Sequence, residues 1–124
     1  MDLKIGLENE LEIIITPKDT AKAYGSGMVE VFATPAMVAL MEKTALLLVS
    51  PYLSKGQNTV GTEICVKHIK ATPLGQKVQS YAKLIELDGK KLSFQVEAYD
   101  EKGLIGTGTH KRFIIDEEAF MNSL

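Results

Sequence analysis

Fourteen residues, Ala36 to Val49, follow a Thr34-Pro35 pair, stop at Ser50-Pro51, and are apolar on nearly every side of a helix. The start is signalled chemically, since a threonine accepts a hydrogen bond from an orphan amide and a proline in the first turn gives up nothing. A surface helix would carry a broad polar stripe, so this one is expected to be buried on most sides. At ~1.5 Å per residue it spans about 22 Å, enough to lie across a sheet. A chain of 124 residues buries roughly two-thirds of the surface its unfolded form exposes, which is one core and not two. The helix therefore belongs at the centre of that core, and the rest of the chain must wrap it.

The rest reads as strands. Leu11, Ile13 and Ile15 alternate with Glu10, Glu12 and Ile14, the pattern of a strand with one buried face, and Thr16-Pro17-Lys18-Asp19 ends it. Residues 20 to 27 read as irregular, broken at Gly25-Ser26-Gly27, and Met28 to Phe32 as a short strand. Beyond the Lys55-Gly56-Gln57 loop, residues 58 to 70 form a strand that sets Val60, Ile64, Val66 and His68 on one parity. Thr72-Pro73-Leu74-Gly75 is a turn, and strands 77 to 87 and 91 to 99 join through Asp88-Gly89, a hairpin signal. Asp100-Glu101-Lys102-Gly103 leads into a last strand, 104 to 115, and a short helix starts near Asp116. No repeat, low-complexity stretch or linker interrupts the order, so residues 1 to 124 are expected to form a single domain of the α+β class. Its architecture is a curved antiparallel sheet wrapped around one long central helix. The sheet edge and the far side of the helix then need cover, which a second copy supplies most simply, and a homodimer is expected.

Composition removes several function classes. Fourteen Lys and Arg against sixteen Asp and Glu leave a formal charge of −2, without the basic excess of a nucleic-acid partner. One cysteine, Cys65, and two histidines form neither an internal disulfide nor a Cys/His zinc cage. The first residues lack the apolar region of a signal peptide, and the apolar run Ala36 to Met41 falls far short of the ~20 residues that span a bilayer. A cytoplasmic location away from membranes is the expectation. Gly106-Thr107-Gly108-Thr109 sits inside a strand and lacks the third glycine of a dinucleotide loop, so its glycines read as curvature or close backbone approach.

Chemistry concentrates at three positions. Glu42 interrupts the apolar helix, and burying a lone carboxylate is costly, so it is exposed at a gap, paired or protonated. It reads either as part of a solvent-facing notch with Lys43 and Thr44, or as a carboxylate in a cleft acting as base or nucleophile. His68 shares the core-facing parity at a strand end, where it is a satisfied structural residue or an acid-base group. Thr34 is accounted for by capping alone. Together they offer a hydroxyl, a carboxylate and an imidazole around one helix. Eight positions separate Thr34 from Glu42, ~12 Å of helical rise, so a substrate carbonyl or water fits between them, or one group comes from a partner subunit. His110 and Asp100 have no evident partner in the sequence.

The run Phe32-Ala33-Thr34-Pro35-Ala36-Met37-Val38-Ala39-Leu40-Met41-Glu42, with Val60-Gly61-Thr62 and Val66-Lys67-His68 downstream, resembles the fluoroacetyl-CoA thioesterase family of hotdog-fold proteins. The resemblance covers roughly residues 10 to 115. It implies a hotdog fold in which two protomers pair, and leaves open whether dimers stack further into tetramers. It also implies Thr34, Glu42 and His68 as catalytic residues, Gly61 as the glycine whose backbone lies against the acyl-CoA, and Arg112, in His110-Lys111-Arg112-Phe113, as a substrate-contacting arginine. The implied reaction is hydrolysis of a small acyl-CoA thioester without metal or cofactor, coenzyme A entering only as part of the substrate. The motifs leave the acyl group open. Glu42 would activate water or attack the carbonyl, His68 would protonate the leaving thiolate or balance charge, and Arg112 would pair with a coenzyme A phosphate. A non-catalytic acyl-CoA or small-ligand binding module on the same fold is the alternative, and an enoyl-CoA hydratase, which wants an Asp and a His on one short segment, ranks last.

Overall fold

A computed structural model describes residues 2–124. Its strands are β1 (Glu8–Ile14), β2 (Gln57–His68), β3 (Lys77–Asp88), β4 (Lys91–Asp100) and β5 (Gly103–Asp116), and its helices α1 (Ala21–Tyr24), α2 (Thr34–Val49) and α3 (Glu117–Asn122). They form one antiparallel sheet in the order β1-β3-β4-β5-β2, with β1 and β2 at its edges. The β3–β4 and β4–β5 connections are two-residue hairpins closing at Asp88↔Lys91 and Asp100↔Gly103, and Gly89, with φ +60°, takes the left-handed backbone that the first requires.

The sheet curls over α2. Met37, Met41, Ala45 and Val49 are fully buried with Val78, Ala82, Leu84, Phe94, Val96, Ala98 and Ile105. On β5, Gly106 leaves room for a helix side chain, since a Cβ there would stand 2.5 Å from the Met37 sulfur. The arrangement is the hotdog fold. Among the described residues no helix is long and apolar enough to cross a membrane.

Four details differ from the sequence reading. Residues 21–24 form the short helix α1, held by the Thr20 hydroxyl accepting from the Ala23 amide and by Gly25 in the left-handed region. Met28–Phe32 is not a strand; only isolated bridges, Thr20↔Phe32 and Val31↔Pro73, tie this stretch down. A bulge between Gly61 and Glu63 shifts the β2 register, so Val60, paired with Phe113, lies on the opposite face from Ile64, paired with His110. Finally, α2 is buried on one side only. Thr34, Pro35, Ala39, Lys43 and Leu47 are exposed, and Val38, Glu42 and Leu46 are half-buried. These positions make two adjacent rows at spacing four, a largely apolar stripe facing away from the sheet. The short helix expected near Asp116 is present as α3, the Asp116 carboxylate accepting from the Ala119 amide.

Candidate active site

The chain is held from both sides as it enters α2, the Phe32 amide donating to the Thr72 carbonyl (2.8 Å) and the Ala33 amide to the Asp19 carbonyl (2.8 Å). Ala33 takes the capping position with extended backbone, and Thr34 is already helical. Its hydroxyl is therefore free of capping duty. It meets His68 Nδ1 instead, at 2.8 Å. His68 ends β2 on the inward face, with its ring edge-on to Phe32 at 6.4 Å. Burial pushes its pKa below the ordinary value of 6.5, partly offset by the backbone of Lys70, so the imidazole is neutral at pH 7. Among the described residues its Nε2 is buried without a hydrogen-bond partner. Thr34 and His68 line a cavity of about 260 Å³ with Val31, Phe32, Ala21 and Lys70.

Lys70 is fixed from beneath. Its Nζ donates to Asp100 at 2.6 Å, and the same carboxylate accepts from the Thr72 hydroxyl and the Lys102 amide, each at 2.8 Å. Burial alone would raise the Asp100 pKa, but these donors overcome it and hold the group at about 2. The cluster ties the end of β2, the following turn and the β4–β5 hairpin into one floor.

Two turns along α2, on the row that carries Thr34, Glu42 looks onto a second opening of about 320 Å³, lined also by Gly61, Thr62, Ile64 and His110. Its side chain is 39% exposed. Gly61 leaves room for it, since a Cβ at that position would lie 3.1 Å from Glu42 Oε2. Arg112 Nη1 stands 3.9 Å from the same oxygen, an ion pair rather than a hydrogen bond. The guanidinium is buried, its Nε donating to the Thr59 hydroxyl (2.8 Å) and Nη2 to the Thr59 carbonyl (3.0 Å). Arg112 thus directs Nη1 toward Glu42.

The five residues singled out in the sequence fall into two groups. Thr34 and His68 share one cavity, while Glu42 and Gly61 line the other, with Arg112 reaching Glu42 from beside it. The notch imagined with Thr44 does not form, because Thr44 is buried and bonded to Ser80 at 2.8 Å. Sequence reasoning passed over His110 and Asp100. The signal for each was its parity, shared with buried neighbours on its own strand, which marks a polar side chain in need of internal partners.

A model of the fluoroacetyl-CoA-specific thioesterase family matches residues 15–118. The chain belongs to that family. The fluoroacetyl-CoA thioesterase of Streptantibioticus cattleyicolor is 46% identical over 91 residues, 73% of this chain and 66% of that protein's length. A solved structure of the fluoroacetyl-CoA thioesterase FlK superposes with a TM-score of 0.94 at 36% identity, covering 99% of this chain and 96% of that one. A hot-dog-like protein from Thermanaerovibrio acidaminovorans, 19% identical, matches with a TM-score of 0.88 over 96% of this chain and 88% of its own, a likeness of fold alone.

Proposed function

We propose that this member of the family hydrolyses a small acyl-CoA thioester to the free acid and coenzyme A, with Thr34, Glu42 and His68 carrying the chemistry. The observation that supports it most is the 2.8 Å Thr34–His68 pair at the mouth of a cavity, beside the positive end of α2. With the ring proton on Nδ1, the Thr34 hydroxyl accepts from the neutral imidazole and, not being spent on capping, keeps its own proton to donate to a thioester carbonyl. Glu42 takes a proton from the attacking water, the C–S bond breaks as the C–O bond forms, and the same proton leaves on the sulfur. Arg112 Nη1 stands 3.9 Å from the Glu42 carboxylate, a positive charge beside the group that handles the proton. No step uses a metal.

The two openings are joined by a second copy of the chain. β2 has an unpaired outer edge, and the α2 stripe carries Val38, Ala39, Leu46 and Leu47 between and beyond Thr34 and Glu42. Covering that edge and stripe encloses the catalytic row. The test is thiol release across short, branched, aromatic and halogenated acyl-CoAs, with and without a chelator. At least one substrate is expected to turn over, unaffected by the chelator, and Glu42→Gln is expected to lose ~100-fold or more of the rate. Tight binding with no turnover across the panel would make the chain a binding module instead.

A further inference from the structure

We infer that His110 is a positioning residue for this reaction, a neutral imidazole of fixed tautomer that aims the Arg112 guanidinium at Glu42. The inference rests on the hydrolase reading above. His110 is 1% exposed, its ring stacked on Phe94 at 6.0 Å, and each ring nitrogen faces a group of fixed character. Nδ1 lies 2.7 Å from the Glu63 carbonyl oxygen, which only accepts, so Nδ1 carries the proton. Nε2 lies 3.1 Å from Arg112 Nη1, which only donates, so Nε2 is bare. A second proton on the ring would set N–H against N–H.

The consequence lies at Glu42. Thr59 grips one side of the guanidinium through Nε and Nη2, and His110 takes a proton of Nη1. The other proton of Nη1 is left for the opening where Glu42 Oε2 waits at 3.9 Å. The groups facing His110 are Glu42 from α2, the Glu63 carbonyl from β2, Phe94 from β4 and Arg112 on its own strand. The Glu63 carboxylate itself reaches Lys111, away from the ring. A charged His110 would repel the guanidinium and compete for Glu42, whereas the neutral ring does neither.

Two variants separate this role from simple stitching of β5 to the β2 bulge. In His110→Asn the amide nitrogen sits where Nδ1 was, keeping the Glu63 bond but offering Arg112 nothing. In His110→Gln the amide oxygen reaches the Nε2 position and accepts from Arg112, while the Glu63 bond is lost. Aiming predicts that His110→Asn loses ~10- to 100-fold in kcat with KM little changed, and that His110→Gln recovers most of it. Stitching predicts the reverse order, with kcat following the melting temperature. Equal and undiminished kcat in both variants overturns the inference while the parent's thiol release leaves the hydrolase reading intact; no release by the parent overturns that reading itself. Should neither variant fold, imidazole nitrogen NMR of the parent decides. A neutral ring protonated on Nδ1 at pH 7 is the expected signature, and an Nε2–H ring or an imidazolium overturns the inference.

Discussion

Thr34 opens α2 without capping it, and that separates two roles a hydroxyl at a helix start can play. Thr34→Val preserves shape and removes only the oxygen. A lost cap would cost about 1 kcal/mol; here the hydroxyl's partner is His68 at a cavity mouth open to water, so the melting midpoint is expected to move by less than that corresponds to. Thiol release, by contrast, should fall about tenfold or more. The histidines also set a pH dependence. His68 and His110 are each lowered from 6.5, chiefly by burial. Below pH 6.5 the unfolded chain therefore binds protons that the folded chain refuses, and folding stability declines as pH falls through that range. Urea melts at pH 7.5 and 5.5 should show this, with a shallower difference in His110→Gln. Asp100 adds to the same trend at lower pH: its carboxylate is held at about 2 against an ordinary 3.8, so its contribution is full above about pH 4 and is lost as pH drops toward 2.

A side chain of α2 reaches β5 at Gly106. Gly106 and Gly108 read in the sequence as curvature or close approach, and each has a particular close neighbour. A Cβ on Gly106 would press on the Met37 sulfur, the end of a flexible side chain, whereas one on Gly108 would run into the Cys65 carbonyl and the Val66 backbone. Gly106→Ala is expected to cost about 1–3 kcal/mol, and Gly108→Ala more, because backbone of a paired strand yields less than a methionine does. Chemical denaturation of the two variants ranks them. β2 contributes a different element-level device. Its bulge lets Thr59 and Gly61 face the Arg112–Glu42 pair while Ile64, Val66 and His68 still face inward further along. A straight strand of strict alternation would send one of those sets to the outside.

For the assembled protein the open side of α2 is the decisive surface. Leu47 is 41% exposed, and with Ala39, Val38 and Leu46 it leaves the helix half covered. Sedimentation is expected to give twice the chain mass. Leu47→Glu, a charge placed on that stripe and outside both openings, is expected to shift the protein toward monomer and to lower thiol release with it. A monomer of full activity would show that each chain completes its own site.

The order of elements was legible because periodicity of two and of 3.6 reports directly on which face of a segment is buried. The long apolar helix, the hairpins at Asp88-Gly89 and at Asp100–Gly103, and the Asp116 cap are local matters, settled within a few residues. Glu42 announced itself by the same logic, as a charge where the pattern wanted none. Partners are not local. Nothing near Thr34 in the chain says that its hydroxyl turns from its own helix to a ring 34 positions away, and nothing near His110 says that one nitrogen finds a carbonyl and the other a guanidinium. A single inserted residue at the β2 bulge moved Val60 to the other face, because parity is conserved only while the ladder is unbroken. Burial pattern is written residue by residue along the chain; which polar atoms meet is fixed only when strands far apart in sequence are brought into register.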